Sequence, residues 1–104
     1  MTQVRFIETA ELQAMCKPGG EAVVVFVATW NKRCQVFIPA CQALAERWSA
    51  RLPVVCVDVD ESTDLVSQFE VCSVPTLLLL HDGQVVWREA GLSLAGIEAR
   101  LRGG

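Results

Sequence analysis

The chain has 104 residues, 52% of them hydrophobic and 20% charged, with nine basic against twelve acidic side chains and a net charge of −3. That length predicts one domain over residues 1–104, the hydrophobic share excludes a disordered tail, and the acidic balance argues against a nucleic-acid surface. The longest apolar run, Ala22 to Ala28, is too short to cross a bilayer, and residues 1–10 are mixed and polar, without the hydrophobic stretch of a secretory signal. The expectation is a cytoplasmic protein, a monomer or weak dimer, with neither nucleic acid nor membrane as a partner.

Val4-Arg5-Phe6-Ile7 partly alternates and predicts a short first strand. Glu8 to Cys16 carries Leu12 and Met15 at helical spacing, with Thr9 as the candidate N-cap and Lys17-Pro18-Gly19-Gly20 as the stop. Ala22 to Ala28 is a continuous run rich in β-branched residues, the pattern of a strand buried on both faces. Phe37, Cys41, Leu44 and Trp48 recur every three or four residues and predict a long helix from Lys32 to Arg51. Pro39 lies inside it and should bend it.

Pro53 to Val59 reads as another buried strand. A short helix over Thr63 to Phe69 follows, with Asp60, Ser62 or Thr63 available to cap it. Thr76 to Leu80 is a fourth strand, Asp82-Gly83 a hairpin turn, and Gln84 to Glu89 an alternating fifth strand. Gly91 breaks the chain before a last helix, Leu94 to Arg102. Helices alternating with apolar strands call for a parallel arrangement covered on both faces, and the hairpin adds an antiparallel edge. The predicted fold is a three-layer α/β/α sandwich with a mixed five-stranded sheet, in the order βαβαβαββα.

Five cysteines, Cys16, Cys34, Cys41, Cys56 and Cys72, are an odd number and include no Cys-x-x-Cys pair. A core this apolar has no need of a disulfide scaffold, so the thiols are expected to be mostly free. The single histidine, His81, is remote from them in sequence. No metal site and no cofactor are expected.

Val25 to Cys34, with Pro39 inside the following helix, resembles the active-site segment of the thioredoxin family. Val57-Asp58-Val59-Asp60, Val74-Pro75-Thr76, Asp82-Gly83 and Gly91 fall at that family's spacings, so the resemblance runs from Val4 to Leu101. It implies the thioredoxin fold and a role in thiol redox homeostasis. The departures lie in the site. Where the family has Trp-Cys-Gly-Pro-Cys, this chain has Trp30-Asn31-Lys32-Arg33-Cys34, and Val25 stands where the family has a buried aspartate. The attacking cysteine is thus Asn31, and the usual proton acceptor is absent.

Dithiol exchange needs one thiolate to attack a substrate disulfide and a second to resolve the mixed disulfide. Asn31 cannot attack, but it is among the best N-cap residues, and capping is its simplest reading. Cys34 stands at the family's resolving position. It is either an inert structural thiol or a reactive monothiol whose thiolate the helix start, Lys32 and Arg33 would favour. Cys41 is seven residues on, about 10 Å along a helix and too far for a disulfide with Cys34. Cys56 reads as core, and Cys16 lies far from the site by topology. Cys72 precedes Pro75 by three residues, on the loop that in this family packs against the active site; a Cys34–Cys72 bridge is the third option.

Pro75 resembles the family's cis-proline, beside which Val74 would offer its backbone to an extended partner peptide. The resemblance implies a groove beside that loop, with Trp30 as an apolar wall and Asn31, Lys32, Arg33, Val74, Pro75, Thr76 and Gly91 as partner-binding positions. Each residue also has a plainer reading. Trp30 would be half-buried packing, and Lys32 and Arg33 a solvated helix start, although cations are disfavoured there. Asp58 and Asp60 would be structural. Two functions remain open: a partner-binding module that has lost dithiol catalysis, and a monothiol oxidoreductase acting through Cys34.

Overall fold

A computed structural model of the chain describes residues 5–48 and 52–90. In chain order the elements are β1 (Arg5–Phe6), α1 (Thr9–Met15), β2 (Glu21–Val27), α2 (Lys32–Trp48), β3 (Val54–Asp58), α3 (Thr63–Gln68), β4 (Thr76–His81) and β5 (Gln84–Ala90). The predicted last helix, Leu94 to Arg102, and Gly91 before it lie outside the described residues, as do Val4 and the stretch 49–51. The strands form one five-stranded sheet in the order β1-β3-β2-β4-β5. β1, β3 and β2 run parallel, and β4 and β5 are antiparallel to their neighbours. This is the mixed sheet that the pattern of apolar strands predicts.

The alternation of side chains along each strand sorts the core into two layers. On one face Val23, Val25, Val27, Val54, Cys56 and Leu77 pack with Cys34, Phe37, Cys41, Leu44 and Ala45 of α2. On the other, Val24, Phe26, Val55, Val57, Leu78 and Leu80 pack with Leu12 of α1 and with Leu65 and Phe69 at α3. Every residue from Ala22 to Ala28 is buried, as a central strand covered on both faces requires. The hairpin between β4 and β5 turns through Asp82 (φ 55°) and Gly83 (φ 77°). Two successive positive φ values match the twist of a two-residue hairpin loop. Gly83 is doubly constrained, since a Cβ there would stand 3.2 Å from the Cys16 Cβ.

One cap assignment differs from the sequence reading, and a second is met without its side-chain bond. Thr9 is not the N-cap of α1; Glu8 takes that place, in extended backbone and without a side-chain cap. The Thr9 hydroxyl instead bonds both carboxylate oxygens of Asp64, at 2.8 and 2.7 Å, tying α1 to α3. Ser62 is the N-cap of α3, but its buried side chain makes no capping bond. The C-terminal end of α3 is closed from a distance: Arg88 donates to the carbonyls of Phe69 (2.5 Å) and Glu70 (3.4 Å). Glu70 itself has φ 53°.

Candidate functional site

The site forms where β2 gives way to α2. The Asn31 amide donates to the Ala28 carbonyl (3.0 Å), closing the turn, and the Asn31 carbonyl accepts from Gln35 (3.0 Å), starting the helix. The Asn31 side-chain Oδ1 accepts the Cys34 amide at 3.1 Å. That is the N-cap bond to the third helical residue, which satisfies a donor the helix leaves unpaired. Gln35 Nε2 adds a bond to the Thr29 carbonyl (2.9 Å).

Cys34 therefore sits at the third helical position with its side chain turned inward. It is fully buried, and the Ala28 amide donates to its sulfur at 3.4 Å. Val25, also fully buried, brings no titratable group to this spot. Replacing Asn31 with Ala is expected to destabilise the fold by about 0.5–2 kcal/mol, with Asn31→Ser nearly neutral. Alkylation of Cys34 should be slow in the wild type and faster in Asn31→Ala, as the first turn frays. Rapid labelling in both proteins, with unchanged unfolding midpoints, would contradict this.

Trp30 stands out from the surface, 67% exposed, and its indole Nε1 donates to Asp60 Oδ2 at 2.7 Å. Asp58 Oδ1 in turn accepts the Asp60 amide at 2.9 Å, so these two aspartates orient the ring. Lys32 and Arg33 are exposed in a first helical turn that holds no acidic residue.

Across the sheet, the pairing of Phe26 with Thr76 brings the start of β4 to the same end. The Val74–Pro75 peptide bond there is cis. Thr76 Oγ1 donates to the Ser73 carbonyl at 2.7 Å, bracing the turn. Beside it lies an open cavity of about 170 Å³ lined by Val59, Val66, Val71, Cys72, Ser73 and Val74. The residues 30–34 corner and the Val74–Thr76 turn thus share one end of the sheet. Of the lining, only Val74 and Cys72 were singled out from the sequence. Val59, Val66 and Val71 look like ordinary apolar core positions, and only their incomplete burial marks them out.

All five cysteines are free, with Cys34, Cys41 and Cys56 buried and Cys72 exposed. The Cys34–Cys72 bridge is not formed. Burial raises the Cys16 thiol pKa, and that of Cys41 is raised further, by a hydrogen bond with Cys56 and then by burial. Among the described residues no group of three His, Cys, Asp or Glu side chains is placed to hold a metal ion, and no helix is long and apolar enough to cross a membrane.

A family model described as thioredoxin matches residues 3–101. The chain belongs to the thioredoxin family. It is 39% identical over 66 residues to thioredoxin 1 of Chlorobaculum tepidum, an alignment that spans 64% of this chain and 65% of that relative. It is 35% identical over 72 residues to a Staphylococcus aureus thioredoxin, covering 69% of each chain. The fold superposes on the crystal structure of a thioredoxin from Nicotiana alata with a TM-score of 0.83 and 27% identity, covering 98% of this chain and 94% of that one.

Proposed function

We propose that this chain is a thioredoxin-like protein of thiol redox homeostasis that binds partner proteins or peptides in the groove between Trp30 and the Val74–Pro75–Thr76 turn, without dithiol reductase turnover. The observation that carries this reading is Cys34: its sulfur is fully buried and engaged by the Ala28 amide, while residue 31 caps the helix instead of carrying a thiol. The next thiol on the helix, Cys41, is two turns away, beyond disulfide reach of Cys34. Exchange needs an attacking sulfur and a resolving one, and neither role is filled.

Partner binding makes no such demand. An extended segment pairs its backbone with the residue preceding the proline and places side chains in flanking pockets. Trp30 and the valine-lined cavity supply an aromatic wall and apolar pockets. Lys32 and Arg33 are the cations a partner meets first, with Asn31 at the corner behind them. Free thiols, an exposed Cys72 among them, fit the reducing cytoplasm.

The test is an insulin-type disulfide reduction assay with a dithiol reductant. Wild-type protein should give no turnover above the reductant alone. Turnover that disappears in Cys34→Ser would overturn the proposal and establish a working monothiol.

A further inference from the structure

A further cavity, of about 360 Å³, lies between the C-terminal end of α3 and the β4–β5 hairpin. Gln68, Phe69, Glu70, Gln84, Val85 and Arg88 line it, and none of them lines the cavity beside the Val74–Thr76 turn. A β-bulge builds one wall. Leu79 pairs with Trp87 and Leu80 with Val85, so Val86 is an extra residue on β5. Strand alternation would put Val85 and Arg88, three residues apart, on opposite faces. The bulge brings both to the α3 side of the sheet, opposite Leu80 and Leu78.

Opposite charges line this cavity without meeting. Arg88 donates to the carbonyls of Phe69 and Glu70. These bonds hold the guanidinium in place and leave its Nε–H and outer N–H groups without a partner among the described residues. Glu70 lines the same space, yet no ion pair or hydrogen bond joins its carboxylate to Arg88 or to any other described residue. Its backbone φ is 53°, a region that glycine occupies freely and a glutamate does not. The chain thus keeps a side chain at a position where glycine would fit with less strain, and that side chain carries the charge missing from Arg88.

We propose that this cavity binds a free α-amino acid with an apolar side chain, its carboxylate on Arg88 and its ammonium on Glu70. A guanidinium fork matches a carboxylate with two parallel hydrogen bonds. The Gln68 and Gln84 amides each offer a donor and an acceptor to the rest of the headgroup. Val85, which is 38% exposed, and Phe69 supply an apolar surface for the ligand's side chain. A simple anion would meet Glu70 and a simple cation would meet Arg88, so a ligand that carries both charges is the one this lining satisfies. The volume falls in the ordinary range of small-molecule sites.

The experiment titrates the nitrogen-15-labelled full chain with leucine and follows the backbone amides and the Arg88 Nε–H by NMR. Saturable shifts are expected over residues 68–70 and 83–88. N-acetylleucine, which lacks the ammonium, and leucinamide, which lacks the carboxylate, should each bind at least about tenfold more weakly. Glu70→Gln should weaken leucine by the same factor and leave N-acetylleucine no weaker, whereas Arg88→Gln should weaken leucine and leave leucinamide no weaker. Glu70→Gly should keep or raise the unfolding midpoint while losing leucine binding. Should Arg88→Gln fail to fold, Glu70→Gln, at an exposed side chain, still decides the matter. The absence of a saturable shift at the cavity, equal binding of the three compounds, or leucine binding unchanged in Glu70→Gln overturns the proposal.

Discussion

Replacing Asn31 with Cys should restore disulfide reduction only in part, to a rate about 100-fold or more below that of a Cys-Gly-Pro-Cys thioredoxin assayed beside it. The substitution places a thiol at the N-cap of α2, where backbone amides and the positive end of the helix dipole favour a thiolate. Cys34, three residues on, then becomes its resolving partner. Three deficits remain. Val25 is a fully buried hydrocarbon where the family carries a carboxylate to move the proton, and a positioned acid or base contributes about 10²–10⁴-fold to such a step. Lys32-Arg33 replace Gly-Pro between the sulfurs, altering the turn that sets their approach. Loss of the Asn31 cap bond also loosens the first turn, by about 0.5–2 kcal/mol. Insulin turbidity assays on wild type, Asn31→Cys and Asn31→Cys/Cys34→Ser measure the outcome. Full thioredoxin-like turnover by the single variant would show that Asn31 alone silences the site, and turnover in the wild type would remove the basis for a binding role.

Phe26→Ala should cost about 3–5 kcal/mol of stability. Phe26 is fully buried in the central strand, and its ring lies 6.2 Å from that of Phe69 at a tilt of 59°, an aromatic contact that adds to the area it buries. Truncation empties the middle of the layer formed with Leu12, Val24, Leu65 and Leu78, and a central strand cannot move to fill the gap. Set against a typical domain stability of about 5–15 kcal/mol, such a loss leaves a measurable unfolded population. Urea unfolding should show a lower midpoint with an unchanged slope. Val36→Ala, at a side chain 78% exposed, should stay within about 0.5 kcal/mol of wild type. A Phe26→Ala cost as small as that of Val36→Ala would refute the packing account.

Both predictions depend on features of different legibility. Phe26 stands in a seven-residue apolar run, so its burial follows from its neighbours in sequence. Asn31 is legible as a cap because an Asn before a helical pattern has one strong local use, and the observed bond to the Cys34 amide is that use. Thr9 was equally plausible as a cap on the same rule. Its hydroxyl instead donates to Asp64, 55 residues away, because packing of α1 beside α3 brings up a carboxylate and the resulting bond is charge-assisted. The thioredoxin resemblance named the two walls of the proposed groove, Trp30 and the Val74–Thr76 turn. It did not name the partners that hold and line them.

From its amino-acid order alone, this chain determined the succession of strands and helices, the parallel core with its antiparallel hairpin, and the absence of a sulfur at residue 31. Each of these is written in stretches of two to twenty residues, through hydrophobic period, turn chemistry and residue type, and needs no knowledge of distant segments. Only the tertiary structure decided that Trp30 would be steadied by Asp60, that Arg88 would close the end of α3, and that Val59, Val66 and Val71 would line a cavity beside the Val74–Thr76 turn. The two hydrogen bonds join residues 30 and 19 apart in the chain. They depend on where the ends of separately formed elements come to rest, which is set by close packing of the two layers on the sheet and not by any local pattern.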